Sequence, residues 1–234
     1  MFKGGDRMKK FRIIFGVVCI ILAFLVISFP YIKNAAQEKQ NSDKKDELLF
    51  EIEDLMNETS PTTPIPETTL PIVQDGTTPD STTPTEPEPT EYVPYRTSTN
   101  EEVDGILYIS KIDLELPILT NVTEKGLDKT CARVTNTNPP GANNYCVMGH
   151  THKTYGYIFN RLKEVKKGDE VIVKARNYTY KYIIYDKFTT EGLDVGILED
   201  IEDKQIITLF CCSYNVKNGR LVVRGELTEV IANT

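Results

Sequence analysis

Two adjacent cysteines, Cys211 and Cys212, end an apolar run that a short turn joins to an arginine, Arg220. Residues 205–212 alternate in the manner of a β-strand, and Asn218 with the glycine after it predicts a turn before a return strand. An antiparallel return places Cys212 beside Arg220. A guanidinium favours the thiolate form of a neighbouring thiol, and the thiolate is the nucleophilic form. The hairpin therefore predicts a site for nucleophilic catalysis.

The two cysteines are predicted to lie on opposite faces of the strand, because successive side chains point to opposite faces of a sheet. Cys211 shares its face with Ile207 and Leu209, which predicts a position in the protein interior. Cys212 shares its face with Thr208 and lies toward the arginine of the return strand. We therefore assign the nucleophile to Cys212.

The chain has two histidines, His150 and His152, separated by one threonine. A Cys–His pair can supply an activated thiolate and then a proton for a departing amine. Their spacing does not choose between them, since residues two apart on a strand share a face. A zinc site built from both histidines and the cysteine pair is the alternative, but the spacing is not that of known zinc ligand sets.

Three segments in this order resemble a sortase, a membrane-anchored cysteine transpeptidase of Gram-positive bacteria. They are Gly149-His150, Thr208-Leu-Phe-Cys-Cys212 and Arg220-Leu-Val-Val-Arg-Gly-Glu226. The resemblance covers about residues 103–228 and departs from the family pattern at Cys211, where the family usually has threonine. It implies an all-β fold, a closed sortase-type β-barrel of about eight strands with one or two short helices.

The resemblance also implies roles for individual residues. Cys212 would be the nucleophile, His150 the acid/base and Arg220 the residue that holds the oxyanion or substrate; the glycine before His150 favours it over His152. Four further residues are predicted to border the substrate groove: Thr208, Cys211, His152 and Arg224.

A sortase would cleave a Leu-Pro-x-Thr-Gly-like (LPXTG-like) sorting signal between Thr and Gly and pass the acyl group to an amine. The expected acceptor is a cell-wall peptide such as a peptidoglycan precursor. The class is A, D or E, with D preferred. No cofactor is expected, although an acidic run at 194–203 raises the alternative of calcium activation, as in some sortases.

Composition divides the chain into five parts. Residues 1–12 form a basic cytoplasmic tail, 13–32 an apolar run long enough for a transmembrane anchor, and 33–58 a charged juxtamembrane segment interpreted as a solvated helical stalk. Residues 59–100 form a Thr/Pro-rich linker with the composition of disordered chains, and 101–230 the catalytic domain. A cleaved signal peptide is the alternative for 13–32.

These parts predict a single-pass protein of the cell membrane with its domain outside. The net charge of −7 gives no indication of a nucleic-acid surface. A stalked binding module without catalysis is the alternative function. Within the domain we expect a break at Pro117, a helix over 155–165 and a hairpin around Arg176. Cys131 and Cys146 are expected to be free buried thiols, with a disulfide between them as the alternative.

Overall fold

A computed structural model describes residues 5–58, 92–152, 154–192 and 194–233. The chain divides into two compact units, Met1–Glu47 and Leu48–Thr234. Residues 59–91 of the predicted linker lie outside the described residues, so for them the linker stays a prediction, whereas residues 92–100 belong to the folded unit. The fold that positions the candidate site belongs to the second unit.

The amino-terminal helix α1 spans Gly5–Glu58. No helix in the part of the chain that the structure describes is long and apolar enough to cross a membrane. Most side chains of the predicted anchor, residues 13–32, lie outside the described residues.

Nine strands, one further short helix α2 (Glu124–Leu127) and three single 3₁₀ turns (Ser110–Ile112, Leu162–Glu164 and Val195–Leu198) follow in the described residues. The strands are β1 (Tyr95–Arg96), β2 (Glu102–Ile109), β3 (Leu114–Leu119), β4 (Cys131–Arg133), β5 (Asn144–Met148), β6 (Glu170–Ala175), β7 (Tyr178–Thr189), β8 (Ile206–Cys212) and β9 (Arg220–Ala232).

Eight of these strands close into a barrel. Their order is β2-β3-β4-β5-β8-β9-β7-β6, and pairing of β6 with β2 completes the circle, while β1 adds to β2. All neighbours are antiparallel except β3–β4 and β5–β8, which are parallel. The predicted closed barrel of about eight strands is confirmed, and closure leaves few unpaired strand edges.

The interior of the barrel is filled by alternate side chains of its strands. In β6, Val171, Val173 and Ala175 are buried, whereas Glu170 before them and Lys174 between them are exposed. The predicted hairpin around Arg176 is confirmed as β6–β7. The inward side chains form one cluster with the inward residues of β8, so burial of apolar surface fixes which face of each strand points inward.

Two local predictions were wrong. Pro117 lies within β3 opposite Ile106, and the chain turns earlier, where Asp113 adopts φ 49° after the 3₁₀ turn. The helix predicted over 155–165 is replaced by successive turns ending in the 3₁₀ turn at Leu162–Glu164. Ile158 takes a φ of 46° and bridges Thr151, so the apolar side chains reach the core without a helix.

The last turns of α1 are also not a solvated stalk. Leu48 and Ile52 have exposed fractions of 5% and 0% and share an apolar cluster with Tyr95 and Ile106. Phe50 on the opposite side of the helix is 72% exposed. Burial of one helical stripe explains why the apolar residues of this charged segment recur at helical spacing.

Candidate active site

Cys212 and Arg220 are paired at the turn end of the β8–β9 hairpin. Cys212 is the last residue of β8 and pairs with Arg220, the first residue of β9, as predicted. Between them the Ser213 amide donates to the Gly219 carbonyl at 2.9 Å. A Cβ on Gly219 would lie 2.4 Å from the Thr190 carbonyl, so this turn requires glycine.

Arg220 is fixed through its backbone, and its guanidinium bonds to the turn. Its amide donates to the Thr190 hydroxyl at 2.9 Å, and its carbonyl accepts from the Thr190 amide at 2.9 Å. The guanidinium donates to the carbonyls of Asn218 and Gly219 at 3.3 and 3.2 Å. These acceptors are neutral, so they leave its positive charge available to a developing oxyanion.

His150 reaches the same end of the barrel from a neighbouring strand. β5 runs parallel to β8, with Met148 opposite Phe210, and the next amide, that of Gly149, donates to the Phe210 carbonyl at 3.2 Å. Extended by two residues beyond the end of β5, this register would set His150 opposite Cys212. The side chain of His150 is exposed.

A hydrogen bond ties the two loops that carry these residues. The Thr151 hydroxyl donates to the Cys212 carbonyl at 2.6 Å. On the other side of the loop, the Phe159 amide donates to the His150 carbonyl at 3.3 Å. The segment that carries His150 is therefore joined to Cys212 by a side-chain hydrogen bond of Thr151 as well as by the sheet.

The adjacent cysteines occupy different environments. Cys212 is exposed, whereas Cys211 is 3% exposed and packs in the barrel core. Burial raises the pKa of the Cys211 thiol to about 11. Cys131 and Cys146 are likewise buried and free, as expected. Of the cysteines in the described residues, Cys212 alone is exposed to solvent.

The ring and the carbonyl of His152 accept hydrogen bonds that stabilise its own loop. Its Nδ1 accepts from the Thr154 amide at 3.1 Å, and its ring contacts the Tyr157 ring edge-on at 4.8 Å. The Tyr214 hydroxyl donates to the His152 carbonyl at 2.8 Å. This histidine supports the loop, while His150 lies level with Cys212.

One of the four predicted groove residues lies beneath the surface and requires correction. Thr208 is fully buried and donates to the Asn144 side-chain oxygen at 2.7 Å, so it does not border a groove. Cys211 packs in the barrel core, and it also lines a cavity that it shares with Cys212.

Arg224 supports the groove from one side. It pairs with Thr208 across the β8–β9 ladder, and its guanidinium donates to the Ile197 carbonyl at 3.3 Å. The same guanidinium lies 5.5 Å from the Phe188 ring. Arg224 therefore holds the 3₁₀ turn Val195–Leu198 rather than facing the substrate side of Cys212.

Two cavities flank the hairpin. The first has a volume of about 210 Å³ and is lined mainly by apolar side chains together with Arg220. Met148, Ile197 and Phe210 are among those side chains. The second has a volume of about 170 Å³ and is lined by both adjacent cysteines, by Phe159 and Leu221, and by polar residues that include those of the 213–215 turn. The reactive end of the hairpin thus borders an apolar cavity and a more polar one.

The acidic run before β8 is engaged in hydrogen bonds. Asp200 accepts from the side-chain amides of Asn138 at 2.7 Å and Asn143 at 3.2 Å, and Asp194 caps the Gly196 amide at 2.9 Å. No group of three or more His, Cys, Asp or Glu residues that could hold a metal ion occurs in the described ranges.

Comparison with known proteins decides the family. The family model of the sortase domain matches residues 107–228, about half of the chain. The chain belongs to the sortase family. It is 29% identical to sortase A of Bacillus anthracis over 127 residues, covering 54% of this chain and 60% of that protein. It is 33% identical to the putative sortase YwpE of Bacillus subtilis over 95 residues, 40% of this chain and 92% of that protein.

Solved structures show the same fold. Listeria monocytogenes sortase A matches 56% of this chain and 91% of its own, with a TM-score of 0.53 and 22% identity. Corynebacterium diphtheriae sortase A matches 57% of this chain and 64% of its own, with a TM-score of 0.52 and 25% identity. This sortase covers less than two thirds of the length of the Bacillus anthracis relative. The residues that match the family model, 107–228, lie within the barrel of this chain.

Sequence reasoning missed the residues that hold this sortase site together. Asn144 is fully buried, and its side-chain amide donates to the carbonyls of Ile197 at 3.0 Å and Glu199 at 2.8 Å. Together with the bond that it accepts from Thr208, it joins β5, β8 and the groove wall. An asparagine at the start of an otherwise apolar strand was the available signal, because a buried amide requires partners.

Proposed function

We propose that this sortase is a cell-surface cysteine transpeptidase that cleaves an LPXTG-like sorting signal between Thr and Gly and transfers the protein to a cell-wall amine. The observation that carries the proposal is the position of Cys212. It is exposed at a strand end beside Arg220 and level with His150, whereas Cys211 next to it is buried.

The first half-reaction forms a thioester. His150 accepts the Cys212 proton, and the thiolate sulfur attacks the threonine carbonyl carbon, forming the C–S bond. Arg220 stabilises the negative charge on the carbonyl oxygen. The C–N bond then breaks, and His150 donates its proton to the departing glycine amine.

The second half-reaction restores the enzyme. The acceptor amine attacks the thioester carbon, and Arg220 again faces the oxyanion. The C–S bond breaks as the amide forms, and the amine proton passes through His150 to the Cys212 sulfur. Atoms and charge balance without a cofactor, because one amide bond replaces another.

The apolar cavity suits the leucine and proline of the sorting signal. Its side chains Met148, Ile197 and Phe210 offer apolar contact, and Arg220 lies at its border with the reactive end of the hairpin. Binding there would direct the following threonine carbonyl toward Cys212. The length of the apolar run at 13–32 and the cations before it support membrane anchoring with the domain outside.

The test is incubation of the full chain with sorting-signal peptides and candidate amines, followed by mass spectrometry. The proposal predicts a thioester whose mass ends at the threonine, and a transfer product when an amine is present. Cys212→Ala should give neither product. Binding of the peptide without a thioester or cleavage would favour the alternative of a stalked binding module.

A further inference from the structure

The last turns of α1 pack against the outer surface of the barrel. Leu48 and Ile52, one helical turn apart, are both buried in a cluster with Ile106 of β2 and Leu119 of β3. Leu49, Leu55 and Met56 of the same helix and Leu127 of α2 complete the contact. The face of the helix turned away from the barrel carries Phe50, which is 72% exposed.

Polar contacts fix the position of the helix on this surface. The Glu51 carboxylate accepts a hydrogen bond from the Ser98 amide, in the turn between β1 and β2. Burial, followed by the charges of Glu115 and Glu53, raises the pKa of the Tyr108 hydroxyl in β2. An apolar stripe with a specific polar contact at its side is the pattern of a helix bound in a groove.

The segment 59–91 begins and ends on the same domain. The docked helix ends at Glu58, and at the other end the Tyr92 hydroxyl donates to the Asp104 carboxylate. While the helix is docked, it contacts the barrel directly, whatever the length of residues 59–91. When the helix leaves the barrel, residues 59–91 can separate the two by at most about 3.3–3.6 Å per residue.

The barrel interior and the docked end of α1 belong to different apolar clusters. The interior cluster around Leu107 and Ile109 contains no residue of α1, whereas the docking cluster lies on the outer side of β2 and β3. The barrel interior therefore does not depend on the helix. A tether also keeps the helix at an effective concentration of about a millimolar, so a contact that is weak between separate molecules is occupied within one chain.

We propose that the outer surface formed by Ile106, Leu119 and Leu127 is a receptor for the chain's own helical stripe, Leu48–Met56, and that the contact is reversible. The catalytic domain then has two placements. It either lies on the end of α1 or stands away from it by the length of residues 59–91. Docking or release of the helix thereby changes how far the active site can extend toward substrates, without changing the catalytic chemistry.

The test uses the full chain in detergent with a protease recognition sequence inserted in residues 59–91. After cleavage of the folded protein, size-exclusion chromatography shows whether the two fragments stay together. We expect them to co-elute when concentrated and to separate on dilution into the micromolar range or below, as expected when a tethered contact loses its effective concentration. Ile52→Glu should separate them at every concentration, and the matched Phe50→Glu should behave like the unsubstituted chain.

Hydrogen exchange of the uncut chain gives an independent readout. Ile52→Glu, or the milder Leu48→Ala, should speed exchange of the amides of residues 48–58 by about tenfold or more, while Phe50→Glu should not. The barrel amides should keep their protection, which shows that the variants fold. Fragments that never associate, or that stay together at the lowest concentration measured, would overturn the proposal.

Discussion

At the scale of single residues, four cysteines differ in what surrounds their sulfur atoms. Cys212 is exposed, while Cys131, Cys146 and Cys211 are buried and uncharged. Burial raises the pKa of Cys131 and Cys146 to about 12 and that of Cys211 to about 11. The three interior sulfurs therefore stay in the unreactive thiol form across the neutral range.

We expect iodoacetamide to modify Cys212 in the native protein between pH 7 and about pH 9, and to leave the three buried cysteines unmodified. Because their pKa values are raised, their thiolate fractions become appreciable only as the pH approaches 11. Peptide mapping of the alkylated protein measures each site. Modification of Cys211 at a rate similar to that of Cys212 would show that the interior of the barrel is accessible, contrary to this structure.

We propose that Thr151 is a positioning residue, because its hydroxyl bonds to the backbone carbonyl of Cys212, the proposed nucleophile. Thr151→Val should lower kcat by about tenfold with little change in the KM for the sorting-signal peptide, and Thr151→Ser should restore it. A control with the same type of bond far from the site is Thr228→Val, whose hydroxyl donates to the Lys181 carbonyl at 3.1 Å. Equal losses of activity in both valine variants would contradict a role specific to the site.

At the scale of elements, the groove wall depends on one amide. Asn144→Ala would leave the Thr208 hydroxyl and the Ile197 and Glu199 carbonyls without their partner. We expect a loss of about 2–4 kcal/mol in the free energy of unfolding and a raised KM for the peptide, since Ile197 lines the apolar cavity. Urea unfolding and steady-state kinetics measure the two effects, and an unchanged KM would separate the wall from substrate binding.

The elements near the nucleophile could be predicted because they follow a simple period. Alternation and the Asn-Gly turn gave the β8–β9 hairpin and its register, including Cys212 opposite Arg220. The segment 155–165 also showed a helical period, but its apolar residues enter the core through turns. In a short segment, the spacing of apolar residues does not distinguish a helix from a series of turns. Tertiary contacts such as the Thr151–Ile158 bridge decide which of them forms.

The parallel pairing of β5 with β8 could not be read from local patterns. It joins residues more than sixty positions apart, and it brings the segment that carries His150 to the end of β8 where Cys212 lies. The same long-range contacts bury Thr208 and make Asn144 its partner. The resemblance to sortases implied the set of residues, whereas the supporting network required the structure.

At the scale of the whole molecule, packing of the folded region begins before the predicted domain boundary at residue 101. Tyr95 is 1% exposed, and Tyr92 donates to Asp104, which is also bonded by the Tyr145 hydroxyl at 3.0 Å. Asp104 itself is 1% exposed and pairs with Arg133 at 3.3 Å. The aspartate is thus enclosed by residues from both sides of that boundary.

A fragment that starts at residue 92 should therefore be more stable than one that starts at residue 101. Removing Tyr92 and Tyr95 exposes apolar surface and takes one hydrogen bond from the buried Asp104. We expect the shorter fragment to lose about 2–4 kcal/mol in the free energy of unfolding. Denaturant unfolding of both fragments measures the difference, and equal midpoints and slopes would place the boundary at 101.

The central claim is that Cys212 and not Cys211 carries the acyl group. Cys211→Ala should retain most of the activity and lose only about 1 kcal/mol of stability, since it removes one small buried side chain. Cys212→Ala should abolish thioester formation, because Cys211 lies on the opposite face of the strand in the barrel core.

The most direct measurement is mass spectrometry of each variant after mixing with a sorting-signal peptide, with peptide mapping of the trapped thioester. The structure predicts an adduct on Cys212 in the unsubstituted protein and in Cys211→Ala, and no adduct in Cys212→Ala. A thioester mapped to Cys211, or one formed by Cys212→Ala, would contradict this account.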